Sequence, residues 1–545
     1  MKTWLKAVLW IIAVGFVLML GAGLVLRSFV NGAEKDRLIA SVSQRIGVPV
    51  SLSAVEFDWA QWFRLRPAVS LDDVTVGNPP GFATKNMLQA SRVSAQVALL
   101  PLFKKRLEIQ SIRVDQPRID IETDAHGMTN VETFIKKLSG GSKSSATADS
   151  SSGSAIASYA VEEFALTSGT FNYSGPENIS LHNVDLDVHD FSLDSPCHLT
   201  ESATLFNGKA SSFKVEGQLG PFTPTSLPLD GTLSLTVAPA ELPAAMRREQ
   251  FGVMLATPGS SARASITANI KGDVYGTVSG PATLVLTNIM IGGHQDHLLA
   301  LSGRAPANIS AASFLSSPQF GLRIPNASLQ LGKGQWAGSA NFTMHGQAMS
   351  GGTQGSIRNI DINEFLSSFT SSSGKVYGSL AMPTSALEFS GRNSADILSS
   401  LKGSAKISVT QGRLGALDLP ATLQRALGTQ QAADGSKGTT QFTSLSGDVN
   451  IAQAKMNIEN LLLDAPGLHL TGSGVIGFDE SINFSIVARL KEGGLAKVLD
   501  ADVPLLVTGT VDAPKVHPQV GKMVKSDVHA AVKDVLGGFL KKKPK

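Results

Sequence analysis

The sequence predicts a mainly β protein in which an N-terminal transmembrane helix leads into a long β-sheet body with few short helices. Three observations predict it. Ala7–Leu26 is an apolar run without a charge. Most of the chain beyond it alternates apolar and polar side chains at period two, between short Gly, Pro and Asn turns. Charged residues make up only 17 % of the chain against 42 % apolar ones, below the roughly 25 % charged of an average soluble protein. Ser, Thr, Asn, Gln and Gly must therefore build most of the surface, which suits an exported β-rich protein better than a cytosolic enzyme.

Residues 1–30 form the anchor. At about 1.5 Å per residue Ala7–Leu26 spans roughly 30 Å, the hydrocarbon thickness of a bilayer. Lys2 and Lys6 precede it, Trp4 and Trp10 sit where interfacial rings would lie, and Arg27 closes it. A cleaved signal peptide has an apolar core of about 7–15 residues followed by small ones. Here Leu24-Val25-Leu26 prolongs the run beyond Gly21-Ala22-Gly23, favouring an uncleaved anchor. Lys2 and Lys6 are balanced by Arg27, Lys35 and Arg37, so charge bias does not set the orientation. The long strand-rich remainder without a second span favours one anchor and an exported body.

Residues 31–138 form a first β region. Asn31 and Glu34 resemble a capping box, and Leu38, Ile39, Val42 and Ile46 share one helical face until Gly47 and Pro49. Period two then takes over, most clearly in Leu107-Glu-Ile109, Ile112-Arg-Val114 and Ile119-Asp-Ile121. Residues 139–157 (Ser139–Ala157) are Ser/Gly-rich and read as a flexible linker. Residues 158–393 resume the strands, with short helical stretches expected near Pro239–Arg248 and Ile362–Phe369. Residues 394–518 continue them, with further short helices near Ser394–Leu401 and Leu417–Leu427. Residues 519–545 return to a helical period: Val520, Val524, Val528, Val532, Val535 and Phe539 form a stripe before the basic tail. This end reads as a helix packed on the last strands, or as one lying on an anionic membrane surface or docking on a partner.

Catalytic and cofactor patterns are missing from the sequence. There is no GxSxG, no P-loop and no HExxH. Cys197 is the only cysteine, and as a strand neighbour of His198 it points to the opposite face. His294-Gln-Asp-His297 is too short a pattern to argue for a metal. The Trp59/Trp62/Phe63 cluster lacks the basic groove of a nucleic-acid stacking site, and the net charge of +3 gives no reason to expect one. The expectation is a protein that is not an enzyme, with no cofactor, no metal and no nucleic-acid partner.

Several motifs resemble one family. RPAVSLDDVTVGNP is a strand running into an Asn-Pro turn. LQASRVSAQVALLPLF is followed by the LEIQSIRVDQPRIDIE hairpin and a closing Gly127–Asn130 pair. Near the other end, Leu461–Gly474 and Val503–Pro514 carry repeated glycine-marked strands, where glycine suits bulges and bends. In order and spacing this resembles the AsmA family of Gram-negative bacteria over about the first 140 residues and again in the C-terminal third.

The resemblance implies an inner-membrane protein, single-pass through Ala7–Leu26, with its body in the periplasm. AsmA-family proteins are similar to bridge-like lipid-transfer proteins, in which an elongated, curved sheet forms a groove for acyl chains. Alternation alone fits a sandwich equally well, while a membrane barrel is disfavoured by 6 % aromatic residues. The expected partner is a phospholipid or other acyl-chain lipid, handled for outer-membrane lipid homeostasis, together with an outer-membrane or envelope protein partner. The alternative is a membrane-anchored scaffold for outer-membrane protein assembly with a dry core. The groove candidates are Ile407, Val409, Leu468, Leu470, Phe484 and Ile486. They alternate with Lys406, Ser408, His469, Asn483 and Ser485, so each apolar set points to one side.

Overall fold

A computed structural model describes residues 33–58, 68–97, 109–124, 128–134 except 132, 161–174, 179–191, 195–242 except 207, 222 and 224, 261–294, 297–312, 319–369 except 347, 373–415, 418–426, 438–490 and 502–519. The Ala7–Leu26 run, the Trp59/Trp62/Phe63 cluster, the Ser139–Ala157 run and residues 520–545 lie outside the described residues. Among the described residues no helix is long and apolar enough to cross a membrane. Strands dominate, helices are few and short, and the chain divides into two compact units.

The first unit comprises residues 1–237 with 267–278. It opens with α1 (Ala33–Ile46), which stops where Gly47 takes φ 75° and returns its N–H to Ser43 O at 2.9 Å. On the exposed side of this helix Val42 is open to solvent. Among the described residues eleven strands follow: β1 (Val50–Ser51), β2 (Ala54–Asp58), β3 (Ala68–Gly77), β4 (Asn86–Val97), β5 (Ile109–Asp115), β6 (Arg118–Glu122), β7 (Val161–Ser174), β8 (Ile179–Phe191), β9 (Cys197–Leu205), β10 (Ser212–Leu219) and β11 (Pro228–Val237). The stretch expected as a hairpin does not fold back on itself: β5 and β6 are one strand broken at Gln116-Pro117. Both run antiparallel to β4 and parallel to β7. A parallel neighbour requires the chain to travel back along the sheet, so residues 123–160 carry a crossover, and the Ser/Gly-rich run falls inside it.

A buried polar staple closes the start of that crossover. Asn130 is fully buried. Its Oδ1 accepts the N–H of Glu122 (3.2 Å) and of Val131 (2.9 Å), and its Nδ2 donates to Asp120 O (2.8 Å) and Asn78 Oδ1 (2.7 Å). The Glu122 carboxylate accepts the N–H groups of Ala83 and Thr84 at 2.8 and 2.9 Å. Asn78 and Asn130, two of the residues that carry the family resemblance, are thus bonded to each other, tying the Asn-Pro-Pro turn to the crossover.

The second unit comprises residues 238–266 with 279–545; β12 (Arg263–Asp273) and β13 (Thr277–His294) have residues in both units. Its further elements are β14 (His297–Ala312), β15 (Gln319–Leu331), β16 (Gly334–His345), β17 (Ala348–Asp361), α2 (Ile362–Phe369), β18 (Val376–Gly391), α3 (Ser394–Ser400), β19 (Lys402–Leu414), α4 (Leu419–Ala426), β20 (Thr440–Ala452), β21 (Lys455–Ala465), β22 (Leu468–Gly477), β23 (Ser481–Leu490), β24 (Val503–Thr510) and β25 (Pro514–Pro518). From β14 to β25 each strand pairs antiparallel with the next. The helices start on side-chain caps. Asp361 Oδ1 accepts from Asn363 N (2.9 Å) for α2, Asn393 Oδ1 from Asp396 N (2.9 Å) for α3, and Asp418 Oδ1 from Ala421 N (2.9 Å) for α4.

A six-residue pattern recurs through both units. It reads Leu71-Asp-Asp-Val-Thr-Val76, Leu166-Thr-Ser-Gly-Thr-Phe171, Leu181-His-Asn-Val-Asp-Leu186, Leu286-Thr-Asn-Ile-Met-Ile291, Ile357-Arg-Asn-Ile-Asp-Ile362, Val409-Thr-Gln-Gly-Arg-Leu414 and Ile458-Glu-Asn-Leu-Leu-Leu463. In every copy the third residue is left-handed: Asp73, Ser168, Asn183, Asn288, Asn359, Gln411 and Asn460 have φ between 48° and 56°. Register shifts accompany it on β7, β8, β17 and β21. A bulge adds one residue to the strand, so the first, fourth and sixth side chains meet on one face instead of alternating. Leu181, Val184 and Leu186 accordingly lie in one apolar cluster, and Leu286, Ile289 and Ile291 in another.

Candidate functional site: the apolar sheet faces

Cross-strand partners share a sheet face, so the register gives the composition of each face directly. In the second unit Ile360, Leu380, Val409, Leu445, Leu463, Leu470, Ala488 and Val503 are successive partners across β17 to β24. Val409, Ala488, Val503 and Ile360 are at most 1 % exposed. The row is dry because α2 lays Ile362, Phe365 and Leu366 against it, with Leu419 of α4 beside them.

Moving along the strands away from the helices, two residues or roughly 6.7 Å per row, the same face stays apolar but opens. Ile407, Leu461, Ile486 and Leu505 come next, then Ala405, Val449, Ile458, Phe484, Val507 and Val516, and then Ile451, Met456, Ile476 and Ile482. All of them except Leu505 are only half-buried. The opposite face carries the charges. Lys406 Nζ lies 3.1 Å from Asp448 Oδ1, Asn460 Nδ2 donates to Asp448 Oδ2 at 2.7 Å, and Arg489 lies 2.7 Å from Asp502. The Asn460 hydrogen bond and then Lys406 hold the Asp448 carboxyl below its ordinary range.

The six candidates separate along this gradient. Val409, Leu468 and Leu470 lie in the helix-covered cluster, Ile407 and Ile486 pack against its edge, and Phe484 lies beyond it on the half-open part. The glycine beside Phe484 has a use other than a bend: a Cβ on Gly474, its cross-strand partner, would strike the Phe484 ring. Gly474 leaves the space into which that ring lies, and its φ is not among the left-handed ones. The bulges that glycine was expected to supply are made largely by Asn, Asp, Ser and Gln.

The first unit has an apolar face of the same kind. Val55, Leu71, Val93, Val114, Leu166, Leu186, Glu201, Val215 and Leu233 are successive partners from β2 to β11. Rows on either side of it meet the same face of β9 at Leu199 and Leu205. The first runs Phe57, Val69, Ala95, Ile112, Phe164, Val188, Leu199, and the second Val50, Val76, Leu88, Ile119, Phe171, Leu181, Leu205. Glu201 is the one ionisable residue in the three rows, and burial alone raises its carboxyl above the ordinary range. Cys197 starts the same strand face, 1 % exposed, with its thiol donating to Leu219 O at 3.2 Å and pushed up by burial, so it stays protonated.

Among the described residues no group of His, Cys, Asp and Glu is arranged to hold a metal. His297 is described and exposed, while the rest of the His294–His297 turn has no described side chain. Periodicity showed that apolar faces exist; it did not single out Glu201, whose place among Leu199, Ala203, Leu186 and Val215 depends on register. The available chemistry is therefore that of two broad apolar surfaces, each backed by a polar one. Neither the curated proteins nor the solved structures give a match to this chain. The family model of the AsmA family matches residues 1–219, and over this N-terminal part the chain is similar to the AsmA family.

Proposed function

We propose that the protein is anchored in the inner membrane by Ala7–Leu26, holds its body in the periplasm as an elongated, curved sheet, and binds acyl chains of phospholipid along the apolar faces. The observation that carries this reading is the gradient in the second unit. Its apolar rows continue past the helix-covered core to Phe484, Val507 and Ile482, which remain half-exposed. A soluble protein gains nothing from leaving such a face open, since each CH₂ it buries is worth about 0.8 kcal/mol. Acyl chains are the filler that fits a face without polar groups, and the AsmA-family match of the N-terminal part is consistent with that use. In this reading the chain is not an enzyme, and its place is in envelope lipid homeostasis.

The test is mass spectrometry of lipid released from gently detergent-extracted full-length protein. Stoichiometric phospholipid is expected. Lipid-free protein of unchanged melting temperature would turn the reading toward a scaffold for outer-membrane assembly, which the dry row through Val409 and Leu470 favours. Location is tested separately: protease added to spheroplasts should digest the body, while alkaline carbonate should leave the anchor in the pellet.

A further inference from the structure

We infer that Glu201 is the headgroup-selecting point of the first unit's apolar face, where its carboxylate receives the ammonium of an amine-bearing acyl-chain lipid. The inference rests on the acyl-chain reading above and adds to it the class of headgroup. Glu201 stands in the middle of β9 with Leu199 and Ala203 two residues away on its own strand and Leu186 and Val215 as its cross-strand partners. Among the described residues its carboxylate has neither a hydrogen-bond partner nor an ion pair, and it is half-buried rather than sealed. The other titratable groups of the neighbouring strands do not face it. Asp185, Asp187 and His189 of β8, His198 of β9, and Lys214 and Glu216 of β10 share rows with Ser202, Thr200 and His198 on the opposite face.

A carboxylate left in apolar surroundings is costly unless a partner arrives with the ligand. An ammonium on an apolar body meets both demands: chains lie on the flanking rows while N–H donors reach the carboxylate, forming a charge-assisted hydrogen bond. The chemistry ranks the headgroups. Ethanolamine brings a cation with N–H donors, choline a cation without them, and glycerol no cation beside its phosphate. Burial that holds the carboxyl's pKa up makes the selection pH-dependent. It is present while the carboxyl is ionised and fades, on acidification, at a higher pH than for an ordinary glutamate.

Detergent-extracted full-length protein is incubated with an equimolar mixture of tail-matched phosphatidylethanolamine, phosphatidylcholine and phosphatidylglycerol, and the bound lipid is quantified by mass spectrometry. Wild type should retain the ethanolamine lipid about tenfold over the glycerol lipid, a ratio worth about 1.4 kcal/mol, with choline between them. Glu201→Gln and Glu201→Leu should hold as much total lipid without the preference, and wild type should lose its preference in acid. Equal binding of the three lipids by wild type, or a preference that survives in both variants, would overturn the inference and leave the acyl-chain reading standing. Wild type that binds none of the three would remove both.

Discussion

Shortening the crossover tests the topology of the first unit. In the parallel register Ile109 lies beside Val161 and Glu122 beside Ser174. After Glu122 the chain must therefore come back past thirteen residue steps, about 43 Å at 3.3 Å each. Described structure is held near Glu122 by Asn130, so the return falls to residues 135–160. These 26 residues reach about 86 Å when extended and need only about 13 of their number to make the trip. Removing about eight from within Ser139–Ala157 leaves ample reach and lowers loop-closure cost by only about 0.3 kcal/mol. Removing all of Ser139–Ala157 leaves seven, reaching about 25 Å, and β7 cannot stay beside β5. Hydrogen exchange of the β7 amides reads the outcome. Protection should be unchanged in the short deletion and lost in the full one. Full protection without the run would refute the crossover, and loss of protection on the short deletion would refute the run's role as a plain tether.

Asn130→Ala strands the buried N–H of Glu122 and the part-buried N–H of Val131, and frees Asn78. At about 1–3 kcal/mol for each unsatisfied group the loss should be about 2–6 kcal/mol, visible as early denaturant unfolding of the first unit with the second unaffected. Asn460→Gly should leave the melting temperature within a degree or two, whereas Asn460→Val, a β-branched side chain at φ 50°, should cost roughly 1–2 kcal/mol more. Equal melting of these two variants would contradict the left-handed bulge.

Much of the fold is legible in the alternation and the turns. Ile362–Phe369 reads as a helix because its apolar spacing leaves period two just after a capping Asp361, and the Ser394 helix follows an Asn cap in the same way. The bulged hexapeptide is harder to see. Leu181 and Val184 are three apart, a spacing that belongs to a helix, and only the left-handed Asn183 turns them onto one face of a strand. Asn, Asp, Ser or Gln at the third place is the sequence signal for it, repeated often enough to be read as an internal repeat. The six groove candidates share a face because alternation dictates it, but alternation is blind to what covers that face. The chain places α2 over Val409 and Leu470 from a position just after β17, far from them in sequence. Glu201 is invisible for a related reason: CHLTESATL has an ordinary polar look until the register sets it among partners that are all apolar.

Photo-crosslinking in cells tests the central claim most directly. A photoreactive residue replaces Phe484 in one strain and Val409 in another, and the adducts are identified by mass spectrometry. Phe484 lies on the half-open rows and Val409 is fully buried beneath α2. The acyl-chain account predicts phospholipid adducts at Phe484 and none at Val409. Absence of lipid at Phe484, with crosslinks only to protein, would contradict it.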